Sequence, residues 1–222
     1  TVDSGALYQS HNEWRGTLAR ALLAGPHPDH RLGAFLGDHV KGRLALAHWP
    51  VPIAEGIVLH RRLDRWSDTH PAVRALRASA PPGWRRHCGI VFDVLFDAML
   101  VRHWETFGVG RLDRFAQALD DLLAARRSEL PLRLRRFAAW AQMKRLWVRL
   151  DDPRMLAEIL SLLAARHARA SPLASGLELM ETMEAEIERA FLRLFPDLRD
   201  AAERFLDAHD PHPGVGRISA PG

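Results

Sequence analysis

Between Ile90 and Val101 the chain reads Ile-Val-Phe-Asp-Val-Leu-Phe-Asp-Ala-Met-Leu-Val, apolar at every position except Asp93 and Asp97. A helix that is apolar all round is a buried helix. Residues four apart project from the same side of it, so the two carboxylates share one buried stripe. Each loses hydration and each repels the other. That arrangement is costly unless a cation, a hydrogen-bond network or a proton compensates. Upstream, the run from Leu59 to Asp68 sets His60, Asp64 and Asp68 at the same four-residue spacing. The two segments are expected to form facing walls of one polar, metal-binding site.

The rest of the chain reads as helices around that pair. Thr and Ile are few, and no period-2 stretch is bounded by an Asn-Gly or Asp-Gly hairpin turn. Ala, Leu, Arg and Glu recur with helical periodicity. Helices are expected near 13–24, 31–47, 52–66, 71–78, 84–107, 111–127, 131–149, 152–169, 173–194 and 197–208. The punctuation fits these breaks: Gly25-Pro26-His27-Pro28, Trp49-Pro50-Val51-Pro52 and Pro81-Pro82-Gly83 interrupt the pattern. Asp152 followed by Pro153 reads as a cap with Pro in the first turn, and Ser171-Pro172 reads the same way. With 222 residues, no long linker and no internal repeat, the expected fold is all-α. It is a single-domain multi-helix bundle spanning 13–208, with a flexible segment at 1–12 and a Pro/Gly-rich flexible tail at 209–222.

Composition narrows the function. No run approaches the ~18 apolar residues of a membrane-spanning helix, so no membrane partner is expected. The single Cys88 excludes an internal disulfide and a Cys-based zinc cluster. With no basic-then-apolar leader pattern, a cytoplasmic location is expected. Net charge is +4, and the positive charge is almost all Arg, with Lys only at Lys41 and Lys144. The Arg excess has two readings: compositional bias of a GC-rich genome, or a face for phosphate or an acidic partner. Basic residues are spread along the chain among acids, which does not favour nucleic-acid binding.

From the residues alone the site has open alternatives. Asp93 and Asp97 hold a metal or pair with Arg from neighbouring helices. His60 is a ligand or a helix-capping group. Asp64 belongs to the site or pairs with Arg61 at i,i+3. Asp68 belongs to the site or caps the helix at 71–78. Asp38, after Gly37 at a helix end, is a cap or a site residue. Arg61 and Arg62 are surface charge or phosphate ligands.

With these residues in view, the chain resembles the acyl carrier protein phosphodiesterase family, the holo-acyl-carrier-protein hydrolases. The likeness is carried by Leu18-Ala19, by Leu32 to Gly42 with its Gly37-Asp38, by Gly56 to Asp64 with His60-Arg61-Arg62-Leu63-Asp64, and by Asp68, Pro71 and Val73. It returns at Phe92 to Asp97 and Arg102-His103-Trp104, and extends weakly to Leu194-Phe195-Pro196. Any one of these motifs is weak; the combination is specific.

The resemblance implies an all-helical fold, with a distant relation to the HD phosphohydrolases as one reading. It implies hydrolysis of the phosphodiester between 4′-phosphopantetheine and a serine of acyl carrier protein, with Mn²⁺ or Mg²⁺ as cofactor. On that basis Asp38, His60 and Asp97 are expected to hold the cation, with Asp93 as a further ligand or supporting group. Asp64 is expected to take or orient the water's proton. Arg61 or Arg62 is expected to stabilise the phosphoryl oxygens, and the same face, with Arg65, to receive the carrier protein. Two positions depart from the family pattern: Arg20 and Ala98 stand where similar proteins carry His. The remaining oxygen-rich donors suit Mg²⁺ or Mn²⁺ better than zinc. Two rival readings follow: a carrier-binding homologue without hydrolysis, and a phosphohydrolase acting on a small nucleotide.

Overall fold

The computed structural model describes residues 16–42, 44–84, 87–165 and 175–209. Among them there are ten α-helices and no strand: α1 (Thr17–Leu23), α2 (Pro28–Leu36), α3 (Val51–Thr69), α4 (Pro71–Ser79), α5 (Cys88–Arg102), α6 (Trp104–Phe107), α7 (Leu112–Ala125), α8 (Leu132–Lys144), α9 (Pro153–Ala164) and α10 (Gly176–His209). The expected all-α bundle is what the chain forms. No described helix is long and apolar enough to cross a membrane. The segments 1–12 and 210–222, and the Ser171-Pro172 break, lie outside the described residues.

Local chemistry explains several helix starts. Pro28 opens α2, and His27 Nδ1 accepts from the Asp29 amide at 3.2 Å. Asp152 caps α9 by accepting from the Arg154 amide at 2.9 Å, with Pro153 in the first turn.

Several expected helices differ. The 31–47 helix ends at Leu36, and a turn and a short 3-10 segment, Leu44–His48, replace its second half. The 84–107 helix breaks at His103, whose ψ of 24° leaves the helical region. The helices expected at 173–194 and 197–208 are one, α10, with a non-helical turn at Met183 and Pro196 inside it. Pro196 takes the partner from the Leu192 carbonyl. Leu192 is 41% exposed, so water can serve that carbonyl instead.

α5 is the buried axis. Val91, Phe92, Val94, Leu95, Ala98, Met99 and Leu100 are all at most 2% exposed. Phe96 of α5 meets Phe191 of α10, which stacks in turn on Phe195 and His103. Burying each such ring contributes roughly 2–3 kcal/mol.

The contact that positions the site is α2 against α3, the most extensive in the bundle. It is possible because both helices carry glycine at the crossing. A Cβ on Gly33 would lie 2.3 Å from the Ile53 carbonyl oxygen, and one on Gly56 would lie 2.2 Å from that of His30. The backbones therefore touch, and the end of α2 comes to rest on the side of α3 that carries His60.

Candidate metal centre

At that junction Gly37 has no side chain because His60 occupies the space: a Cβ there would lie 2.2 Å from the imidazole Cγ. Asp38 follows in the turn after α2. Asp64 stands one turn beyond His60 on α3, and Arg20 reaches in from α1. Asp38, His60 and Asp64 each offer a donor atom within 4.8 Å of the others.

His60 is 4% exposed. Its Nδ1 donates to the Ala34 carbonyl at 2.7 Å; a carbonyl can only accept, so Nδ1 carries a proton and Nε2 is the nitrogen left to hold a second proton or, with its lone pair, a cation. Nε2 lies 3.3 Å from Asp64 Oδ2 and 3.6 Å from Asp38 Oδ1. It is buried and hydrogen-bonded to neither. A lone pair between two carboxylates is repulsive unless a proton or a metal cation lies between them. Burial and Arg20 push the His60 pKa down, but the two carboxylates outweigh them and raise it.

Asp64 is held from two sides. Its Oδ1 accepts from Arg20 Nε at 2.6 Å and from Nη2, and Oδ2 faces His60. Burial would raise its pKa; His60 and Arg20 overcome this and hold the carboxyl well below the usual carboxylate range. Asp38 is likewise lowered, burial being outweighed by His60 and Arg20. Desolvation of the Arg20 guanidinium is outweighed by Asp64, Asp93 and Asp38. Its Nη1 is buried without a hydrogen-bond partner.

Arg20 separates two small cavities. One, about 20 Å³, is lined by Thr17, Asp38, His39 and His60 among others. The second, about 40 Å³, is lined by Asp64, Ser67 and Asp93, with Phe195 on its apolar side. Each has room for a water-sized species. Two carboxylates and an imidazole whose deprotonated Nε2 can donate a lone pair fit a divalent cation of the Mg²⁺ or Mn²⁺ kind.

The structure brings together Asp38, His60 and Asp64 of the expected site residues, and sets Asp93 across the second cavity from Asp64. It does not bring Asp97 into this group. Asp97 is 3% exposed, and its two oxygens accept from the Leu18 and Ala19 amides at 3.1 and 2.9 Å. α1 begins at Gly16 with no side-chain cap of its own, and Asp97 supplies the missing acceptors from another helix. Burial dominates its titration and raises the pKa to about 6, against the pull of those amides.

Arg61 and Arg62 also lie apart from the cluster. Arg61 Nη2 donates to the Val40 carbonyl, and Arg62 covers the Phe205 ring at 4.9 Å. The i,i+3 pair of Asp64 with Arg61 is not formed. Asp68 does not cap α4: it pairs with Arg77 at 2.6 Å, and the His70 ring takes the Ala72 amide. Trp104 is a packing residue, its Nε1 donating to the Gly110 carbonyl at 2.9 Å.

The residue that sequence reasoning passed over is Arg20, read there only as a departure. Its signal was its place in the apolar segment Leu18–Leu23, where a lone Arg needs a buried partner.

A family model described as acyl carrier protein phosphodiesterase matches residues 17–198. A relative of that name from Yersinia pestis is 29% identical over 187 residues, covering 84% of this chain and 96% of its own. The Serratia proteamaculans protein of the same name matches at the same identity and coverage. One from Salmonella agona is 39% identical over a shorter stretch of 87 residues, 39% of this chain and 45% of its own. No solved structure matches. A match running from α1 into the middle of α10 takes in every residue of the cluster, and the chain belongs to the acyl carrier protein phosphodiesterase family.

Proposed function

We propose that this protein is a metal-dependent phosphodiesterase that removes 4′-phosphopantetheine from the serine of holo acyl carrier protein. The observation that carries the reading is the buried Nε2 of His60, turned between Asp38 and Asp64 with no hydrogen-bond partner. Family membership supplies the substrate class. Asp38, His60 and Asp64 would hold the cation. When bound, it supplies a water of lowered pKa and neutralises charge on the phosphoryl group.

The chain's own groups do the rest. Asp64, locked between Arg20 and His60, is a poor proton acceptor; Asp93, facing the same cavity, is the carboxylate assigned to take the proton of the attacking water. Arg20 offers its unpartnered Nη1 to a phosphoryl oxygen as charge builds there, the role first expected of Arg61 or Arg62. The water oxygen bonds to phosphorus, the bond from phosphorus to the serine oxygen breaks, and that oxygen takes up a proton. Asp97 holds α1, and with it Arg20, in place through the Leu18 and Ala19 amides.

The test is a mass-shift assay. Metal-free protein mixed with holo carrier protein should yield apo protein on addition of Mn²⁺ or Mg²⁺. Asp38→Asn and His60→Gln should slow this by about a thousandfold, ~4 kcal/mol in the barrier. No apo protein with any divalent cation would overturn the reading. The Arg20–Asp64 ion pair favours a second reading, a carrier-binding homologue in which the guanidinium takes up the site's charge; it requires that the protein bind the carrier and no Mn²⁺.

A further inference from the structure

On the flank of α3 next to the cluster lies a groove of about 700 Å³ between α3 and the last turns of α10. Its floor is Leu59, Leu63, Trp66 and Phe205, and Trp66 is 37% exposed. Its rim carries Arg62, Arg65 and Arg204, with no acidic residue in the lining. Elsewhere the arginines of this fold are commonly paired: Arg102 with Glu184, Arg126 with Asp29, Arg149 with Asp152. Among the described residues Arg62, Arg65 and Arg204 form no salt bridge, and all three are exposed. Arg65 and Arg204, unpaired, and Arg62, laid over the Phe205 ring without an acid, around an apolar floor are matched by one kind of surface: an apolar stripe flanked by carboxylates.

We propose that this groove docks an acidic amphipathic helix of the protein substrate, an inference that rests on the carrier protein as substrate argued above. A helix laid in the groove presents apolar side chains at i, i+3, i+4 and i+7 to the exposed Trp66 ring and to the edges of Leu59, Leu63 and Phe205, which Arg62 and His209 flank. Its flanking acids meet Arg65 on one side and Arg204 on the other. Position favours this occupant. Leu63 forms part of the groove wall and also of the cavity holding Arg20, Asp64 and Asp93. A partner seated here is separated by Leu63 from the cavity lined by Arg20, Asp64 and Asp93, the route by which an adjoining serine-linked arm enters. A nucleic acid would use the charges but leave the aliphatic floor unused.

The test is a binding titration of full-length protein with labelled carrier protein, in EDTA so that hydrolysis plays no part. The double variant Arg65→Glu/Arg204→Glu should bind at least about tenfold more weakly than wild type. Raising salt from about 50 to 500 mM should weaken wild type and barely change the variant. Hydrogen exchange should slow over 59–69 and 201–209 when carrier protein is added, confirming the location in the unaltered protein.

Equal affinity of the two proteins, or no binding by wild type, overturns the docking site. So does a groove already protected before carrier protein is added, which would mean that residues 210–222 fill it. A change in the oligomeric mass of the free double variant would mean that a second copy does. Loss of hydrolysis with binding intact would refute the phosphodiesterase reading and leave the groove standing.

Discussion

Two helices of this protein carry the same device, an acid or imidazole followed four residues later by an aspartate, and put it to different ends. On α3, His60 and Asp64 are compensated by side chains: a guanidinium, an imidazole and a second carboxylate, Asp38. On α5, Asp97 is compensated by main chain, the two amides at the start of α1. α1 lies between them, giving its N-terminal amides to one aspartate and Arg20 to the other. The titrations are opposite: burial would raise both, but His60 and Arg20 overcome it and hold Asp64 below the usual carboxylate range, while the two amides do not and Asp97 is raised to about 6. Side-chain partners can be displaced by an incoming cation or phosphate. Backbone amides cannot, because losing them undoes a helix start. The kind of compensator, more than the spacing, separates a carboxylate free to do chemistry from one that builds the fold.

The sharpest way to break this comparison is to neutralise each aspartate in turn. Asp64→Asn should reduce turnover of holo carrier protein by about a thousandfold, with Mn²⁺ affinity measured by calorimetry falling in parallel. Asp97→Asn, which keeps one acceptor oxygen, should retain Mn²⁺ binding. If instead Asp97→Asn folds normally and loses the metal, the distinction between the two helices is wrong.

Removing the acceptors altogether probes the structural side. Asp97→Ala leaves the Leu18 and Ala19 amides buried without partners, costing about 2–4 kcal/mol. For a chain of this size that corresponds to a melting temperature lower by roughly 5–15 °C. Urea unfolding of the two proteins measures it. A loss below about 0.5 kcal/mol would mean that water serves those amides and that Asp97 is not holding α1.

Much of this was legible in the sequence, and the limit of legibility has a physical cause. The apolar run around Asp93 and Asp97 could only be a buried helix, and Asp152-Pro153 could only start one, because both signals are local. The joining of two expected helices into α10 was hidden: a proline ends a helix unless the freed carbonyl finds water, and exposure of Leu192 is a tertiary fact. At the site, His60 and Asp64 share a face by spacing alone, and Asp38 joins them through Gly33, Gly37 and Gly56. Those glycines were visible, but their meaning was not until the helices they bring together were known. Asp97 shows the converse. Its residue type and burial suggest a ligand, and nothing local reveals that the uncapped start of α1, 78 residues away, lies against it.

The smallest effect is the most direct measure of that difference, because it reads the two aspartates through their protons. A carboxyl whose pKa is raised on folding binds more protons in the native state than in the unfolded chain. Stability contributed this way is present at low pH and is lost as pH rises from about 4, where the unfolded carboxyl ionises, to about 6, where the folded Asp97 does. The loss is on the order of 2 kcal/mol. Asp64 works in the other direction: its pKa is lowered, so its contribution is intact above about pH 4 and disappears only below. His60, with a raised pKa, loses its contribution above about pH 6.5. In the window from pH 4 to 6 Asp97 acts alongside Asp120, whose pKa burial also raises, and against His39, whose pKa burial lowers, so the part due to Asp97 is read as the difference between wild type and variant. Urea midpoints for wild type and Asp97→Asn across that window should diverge with acidification, wild type gaining relative to the variant as Asp97 takes up its proton. Parallel curves would mean that Asp97 titrates as it does in the unfolded chain, and that the amides of α1 hold its charge as firmly as Arg20 and His60 hold that of Asp64.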